Sequence, residues 1–309
     1  MRIHMAEFIA ALLKRRIHDV LGVHVLKDGE PVGEFYWNDC FERPHNINSC
    51  SKSVTSLAIG MAIGEGMVNL DEKIADIFPE KLPPNIQQWW LDVTIRDMLT
   101  MTIGHDVTPL PRNSRDTMPN TDWLDSIFNL PLTYKPGAHF LYNNAGPYLC
   151  SRLIKKRGKE SLLNWLKPRL FDPLNIKNPQ WFTCPQGHTL GIGALFLTPK
   201  QMADIGQVCL NRGEWNGKQL IPAAYIDEAT SCQFKKSNMS SSPTTDFQVG
   251  YGYYFWRNAQ FDSYRANGSG AQLMIVLPKQ NAVVSVISSN APEQEVLDAV
   301  WEGIVPQLQ

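Results

Sequence analysis

Ser49 and Lys52 form the one Ser-x-x-Lys in the chain. The residues around them pass from the turn-formers Asn48 and Ser49 into an apolar series at Val54, Leu57, Ala58, Met61 and Ala62. That spacing is helical. It puts Ser49 at or just inside a helix N-terminus, with Lys52 on the same face of the first turn. A serine hydroxyl becomes a nucleophile when a neighbouring base removes its proton. A lysine held against an apolar helix face can have its pKa lowered far enough to be that base. The free N–H groups and positive dipole end of the helix suit an oxyanion developing on a carbonyl. The chemistry such a pair supports is acyl transfer through serine. Taken alone, the stretch also reads as a serine N-cap followed by a solvated lysine.

Two further clusters complement it. Tyr142-Asn143-Asn144 is a Tyr-x-Asn that opens a helix. A tyrosine can pass a proton to a leaving group where a nearby cation favours its phenolate. Asn144 could hold Lys52 and a substrate amide by hydrogen bonds. The plainer reading is a helix-capping asparagine beside a core tyrosine. A second Tyr-x-Asn, Tyr36-Trp37-Asn38, falls in a strand and is set aside. The third cluster is Asn267-Gly268-Ser269-Gly270-Ala271-Gln272, between two strands. Small residues at Gly268, Ser269 and Gly270 let backbone approach an acyl group closely. An N–H from Ala271, paired with that of Ser49, would make an oxyanion hole. By itself this stretch is also a plain Gly-rich hairpin.

The elements that must position these residues follow from periodicity. Residues 5–14 read as an amphipathic helix, and residues 22–37 as two strands joined at Lys27-Asp28-Gly29-Glu30, a hairpin signal. His24, inside an apolar strand, reads as a core histidine. Helices are expected over 49–64, 70–78, 94–101 (Thr94 as cap, Asp97 at the capping-box position), 122–128, 148–156, 161–170, 198–210 (Thr198 as cap) and 222–230. Residues 104–120 read as a long surface loop of the kind that borders binding sites, and 235–245 as a mobile loop. Strands are expected over 248–256, 261–266, 273–277 and 282–288, and a closing helix over 293–305. Two strand groups separated by helices imply an α+β fold: one antiparallel sheet built from both chain ends, flanked by helices, with a large helical insertion. The corresponding division is a sheet domain of 1–70 and 245–309 and a mainly helical domain of 71–244.

Composition narrows the function. The chain has 309 residues, 29 Lys+Arg against 30 Asp+Glu and a net charge of −1, which offers no field for nucleic acid or an anionic membrane. Six scattered cysteines, with no Cys-x-x-Cys and no zinc spacing, suit a reducing compartment. Cys50, next to Ser49, reads as packing. No apolar run approaches the ~20 residues of a membrane span, and the N-terminus lacks signal-peptide features. The expectation is a soluble, cytoplasmic protein without metal or cofactor. The seven histidines share no motif and there is no Gly-x-Ser-x-Gly, so neither a Ser-His-Asp triad nor an α/β-hydrolase elbow has support.

Ser-x-x-Lys, Tyr-x-Asn and a small-residue third motif, in this order and on these element types, resemble the serine β-lactamase and penicillin-binding-protein superfamily. Within it the chain is similar to the class C-type branch, and there to esterases and 6-aminohexanoate-dimer-hydrolase-like proteins. Residues 93–102, 191–199 and 213–222 resemble further family segments, so the likeness runs from about residue 20 to 300. The resemblance implies that Ser49 is acylated and then deacylated by water. It also implies that Lys52 is the base, Tyr142 the proton relay and Asn144 a substrate-positioning group. Many members carry Lys-Thr-Gly or His-x-Gly in the third motif, whose cation binds a substrate carboxylate; here Gly268-Ser269-Gly270 supplies none. That departure points to a small ester or amide as substrate rather than a β-lactam or a D-amino-acid peptide. Arg265, His105 or Lys135 are the alternative sources of charge. A non-catalytic, penicillin-recognising or peptide-binding relative is the rival reading. Aromatic residues in 251–256, with Trp181 and Phe182, are candidates to line an acyl pocket.

Overall fold

A computed structural model describes residues 2–37, 40–111, 113–235 and 245–309. The chain opens with helix α1 (Met5–Lys14), followed by the hairpin β1 (Val20–Lys27) and β2 (Glu30–Tyr36). Asp28 and Gly29 both have positive φ, 54° and 81°, as a tight two-residue hairpin turn requires. The helical middle contains α2 (Cys50–Gly64), α3 (Ile95–Leu99), α4 (Ala145–Gly158), α5 (Pro199–Leu210) and α6 (Ala223–Thr230). The chain closes with β3 (Trp256–Arg257), β4 (Tyr264–Gly268), β5 (Gln272–Leu277), β6 (Ala282–Ser288) and α7 (Glu293–Gly303).

The six strands form one antiparallel sheet in the order β2-β1-β6-β5-β4-β3. The strands nearest the two chain ends lie side by side at its centre, with Val25 opposite Val284. The α+β fold expected from the two strand groups is therefore present. One face of the sheet is closed by α1 and α7, where Phe8, Leu12, Val300 and Leu297 pack on Val23, Val25, Ile275 and Val284. Helix α5 packs on the other face, against β1, β5 and β6.

Helix α2 runs through the middle of the larger core. Every residue from Cys50 to Ala62 is buried. A helix apolar on all sides can be buried so completely, and here its hydroxyls are satisfied as well. Ser53 Oγ donates to Tyr254 O at 2.5 Å and Thr55 Oγ1 to Gly191 O at 2.8 Å, while Ser56 Oγ and Tyr225 Oη lie 2.8 Å apart.

The caps behave as their sequence suggests. Thr94 and Asp97 form a reciprocal capping box on α3, and Thr198 and Gln201 form another on α5. Three expectations change. The aromatic run 248–256 is not a strand: Asp246–Gln248 is a short 3-10 turn, and only Trp256–Arg257 pairs in the sheet. Tyr251, Tyr253, Tyr254 and Phe255 are all buried, so this segment has no solvent face for a strand's alternation to serve. The helix expected over 70–78 shrinks to Ile74–Ile77, and the loop over 104–120 holds one turn of helix at Ser114–Thr117. A small three-stranded sheet of His45–Asn46, Leu195–Leu197 and Gln180–Trp181 was not foreshadowed, because two- and three-residue strands carry no periodicity. Of the loop expected over 235–245, residues 236–244 lie outside the described residues, as does Asn38 of the discounted Tyr-x-Asn. No described helix is long and apolar enough to cross a membrane.

Candidate active site

Ser49 occupies the N-cap position of α2, as its place in the sequence suggests, but its hydroxyl makes no capping bond. The turn into the helix is made by Asn48, whose φ of 47° is left-handed, a conformation that asparagine tolerates. Its side chain spans the site, Nδ2 donating to Ser269 O at 2.8 Å. The Ser49 hydroxyl is thus left to a different partner. Lys52 Nζ lies 3.0 Å from Ser49 Oγ and donates to Ile192 O at 2.8 Å. Lys52 is only 2% exposed, which excludes the solvated-lysine reading of the motif. The same Nζ is 5.0 Å from the centroid of the Tyr142 ring. Ser49, Lys52 and Tyr142 therefore meet in one place.

Asn143 and Asn144 divide their duties. Asn143 Oδ1 accepts from Ala145 N at 2.8 Å and so caps α4, while its Nδ2 donates to Leu141 O at 2.6 Å. Asn144 is released from capping and donates Nδ2 to Leu110 O at 3.0 Å. With its NH₂ directed there, its Oδ1 is the atom left to receive a donor.

The third motif is placed in part as expected. Gly268 ends β4, and Ser269, Gly270 and Ala271 turn the chain into β5. A Cβ at Gly268 would stand 2.3 Å from Ile47 O, so this glycine lets the strand end lie against the turn before Ser49. The position therefore has no room for any side chain, cationic or other. Ser269 reaches the cavity wall. Ala271 does not: it is fully buried in the core cluster beneath α1 and α7, so the structure puts Ser269, not Ala271, beside Ser49. Gly270 faces Glu293, its N–H donating to Oε1 at 3.1 Å.

Two cavities open from the Ser49–Lys52 pair. The larger, about 260 Å³, is walled by Tyr142, Phe247, Trp256, Asn267, Ser269 and Glu293 among others. The smaller, about 190 Å³, lies towards Asn46, Leu190, Ile192 and Gly193. Asn144 borders both. Among the described residues, Lys52 is the one cation lining either cavity. His105 is buried against Trp90, and Lys135 is exposed and lines neither cavity. Arg265 is fully buried behind the wall, with its guanidinium 4.8 Å from the Phe247 ring centroid. Burial lowers its pKa to about 10, which leaves it charged at neutral pH. Of the aromatics singled out in the sequence, Trp256 lines the larger cavity, Tyr251 packs edge-on against the Tyr142 ring, and Trp181 and Phe182 line neither cavity.

Burial raises the Cys50 thiol well above its ordinary range, and its Sγ donates to Gln272 O at 3.0 Å, so it packs rather than reacts. His24 is a core histidine hydrogen-bonded to Tyr36 Oη at 2.7 Å, and burial, with Lys200 nearby, lowers its pKa to about 4. None of the six cysteines is in a disulfide, and the described residues hold no cluster of His, Cys, Asp and Glu able to bind a metal. Sequence reasoning gave no role to the Ile192 carbonyl, Asn48, Asn267 or Glu293, although Asn48 is the turn-former before Ser49 and Asn267 opens the third cluster.

Residues 5–305 match the model of the family described as Beta-lactamase. The chain is 22% identical over 189 residues to a lovastatin esterase of Penicillium rubens, an alignment covering 54% of this chain and 46% of that protein. It thus spans less than half the length of that relative. Its fold resembles a Bacillus anthracis structure described as a 6-aminohexanoate-dimer hydrolase, with TM-score 0.79, 20% identity and coverage of 97% and 81% of the two chains. It also resembles a family VIII carboxylesterase, with TM-score 0.75, 14% identity and coverage of 98% and 99%.

Proposed function

This chain belongs to the Beta-lactamase family, and we propose that it is a serine hydrolase that cleaves a small ester or amide through an acyl-enzyme. The observation that carries the reading is the 3.0 Å approach of the buried Lys52 Nζ to Ser49 Oγ, with Ile192 O accepting an Nζ hydrogen. A neutral lysine held this way presents its lone pair to the hydroxyl while Ile192 O keeps it oriented. Ser49 Oγ gives its proton to Lys52 and bonds to the substrate carbonyl carbon. The oxyanion forms at the N-terminus of α2, beside the Ser49 N–H and the Ser269 wall. The carbon–leaving group bond then breaks, and the departing oxygen or nitrogen takes the proton from Lys52 by way of Tyr142. Water, deprotonated by the same groups, attacks the acyl carbon and returns Ser49 with the acid as product.

The name of the esterase relative and the fold shared with a carboxylesterase support an ester as the substrate class. The cavity wall agrees, because Gly268 excludes a side chain where a carboxylate-binding cation would stand. Six cysteines with no disulfide among them support a reducing, cytoplasmic setting. Incubation with p-nitrophenyl acetate, p-nitrophenyl butyrate and nitrocefin tests the reading. The expected result is Ser49-dependent hydrolysis with kcat/KM higher for the esters than for nitrocefin. Hydrolysis that survives Ser49→Ala would overturn the mechanism, and nitrocefin as the better substrate would overturn the substrate class.

A further inference from the structure

The larger cavity carries a carboxylate on its wall. Glu293, the first residue of α7, lines the larger cavity together with Tyr142, Phe247 and Trp256. Its orientation is fixed from behind. Arg265 Nε donates to Asn267 Oδ1 at 3.0 Å, and Asn267 Nδ2 donates to Glu293 Oε2 at 2.9 Å. Arginine can only donate and a carboxylate only accept, so the Asn267 amide has one possible orientation. Gly270 N holds the other carboxylate oxygen. Each of these oxygens has a second lone pair. Arg265 itself is buried behind Asn267 and Phe247 and lines neither of the two cavities. The positive charge therefore lies behind the wall and the negative charge on it.

The aromatic rings complete the chemistry of this wall. Phe247 and Trp256 meet edge to face at 4.8 Å, and Tyr142 lies 5.6 Å from Trp256. Aromatic rings beside a carboxylate suit a desolvated ammonium group. The two cavities also differ in the groups they hold: Tyr142 and Glu293 border the larger one and not the smaller. If Tyr142 delivers the proton to the departing atom, the leaving group occupies the larger cavity and is the part that meets Glu293.

We propose that the site selects substrates whose leaving group carries a positive charge, such as an amino alcohol, with Glu293 as the specificity-determining residue. This rests on the serine-hydrolase reading. The bonds made and broken are those of the acyl transfer already described; Glu293 contributes charge and takes no proton.

The test uses three acetate esters that share the acyl group: acetylcholine, its neutral isostere 3,3-dimethylbutyl acetate, and the anionic 4-acetoxybutanoate. Acid release is followed by pH-stat titration. Wild type should favour the cationic over the neutral ester by about tenfold or more in kcat/KM, with the anionic ester worst. Within Glu293→Gln the same ratio should collapse to about threefold or less, and Glu293→Lys should favour the anionic ester. Reading ratios within one variant cancels any general loss of activity, and the wild-type ratio stands even if a variant fails to fold. Equal rates for the cationic and neutral esters in wild type, or a ratio unchanged in Glu293→Gln, would overturn the proposal while leaving the hydrolase reading intact. Cleavage of p-nitrophenyl acetate with none of the three hydrolysed would do the same. Absence of Ser49-dependent hydrolysis of every ester would overturn the underlying reading instead.

Discussion

At the scale of single residues, the Ser49 hydroxyl is committed to Lys52 rather than to the helix it precedes. Ser49→Ala therefore removes the proposed nucleophile without removing a cap. Ester hydrolysis should fall at least about 10³-fold, while the melting temperature moves by less than about 2 °C. Calorimetry and a p-nitrophenyl acetate assay on the same preparation check both halves. Lys52→Arg and Lys52→Ala should each lose roughly 10²–10⁴-fold in kcat, because arginine keeps the charge but cannot accept the serine proton. An arginine variant close to wild type would reduce Lys52 to a source of charge. The pair itself is legible as Ser49-x-x-Lys52. Its meaning is not, since a solvated lysine at the same spacing leaves the same letters; burial to 2% exposure separates the two cases.

At the scale of elements, the site depends on a strand end pressed against a helix start. Gly268 makes this contact possible, because Ile47 O occupies the place of its Cβ. Gly268→Ala should cost about 1–3 kcal/mol in denaturant unfolding, since the obstructing atom is backbone and cannot turn aside. It should also lower kcat/KM by displacing Ser269 from the wall. Retention of full stability and activity would mean that β4 can retreat from α2 without consequence. Helix α2 and the β4–β5 turn were both foreseen as elements. The assignment within the turn was not: Ser269 and Ala271 are two positions apart, but positive φ at Gly270 and Ala271 breaks the strand alternation, so Ser269 lines the cavity and Ala271 lies beneath α1 and α7.

At the scale of the whole molecule, buried histidines couple the fold to pH. His24 and His105 are 3% and 1% exposed, and burial lowers the pKa of each from 6.5 to about 4. Unfolded chain then binds more protons than folded chain between those values, so stability falls as pH drops from about 6.5 towards 4. At pH 5 each histidine should cost on the order of 2 kcal/mol relative to pH 7.5. Thermal melts across that range check the slope, and His105→Asn should flatten it. A melting temperature unchanged between pH 7.5 and 5 would mean that both sites rearrange to solvate the charge.

Much of this molecule follows from local pattern. The capping boxes at Thr94 and Thr198, the Asp28-Gly29 turn, the buried helix after Ser49 and the apolar strands of both chain ends each depend on residues within a few positions of one another. Local sequence carries such information because hydrogen bonds and apolar periodicity act over one or two turns of chain. The rest depends on contacts between distant segments. Ile192 O meets Lys52 across 140 residues, Asn48 meets Ser269 across 221, and Asn267 meets Glu293 across 26. The irregular path of 248–255 belongs here too, because its aromatic side chains are buried wherever they point and so leave no pattern to read. The sequence alone singles out Ser49 and Lys52 as the pair, but the sign of the charge facing the substrate depends on which side of Asn267 the arginine and the glutamate fall. Only packing at the end of the sheet decides that.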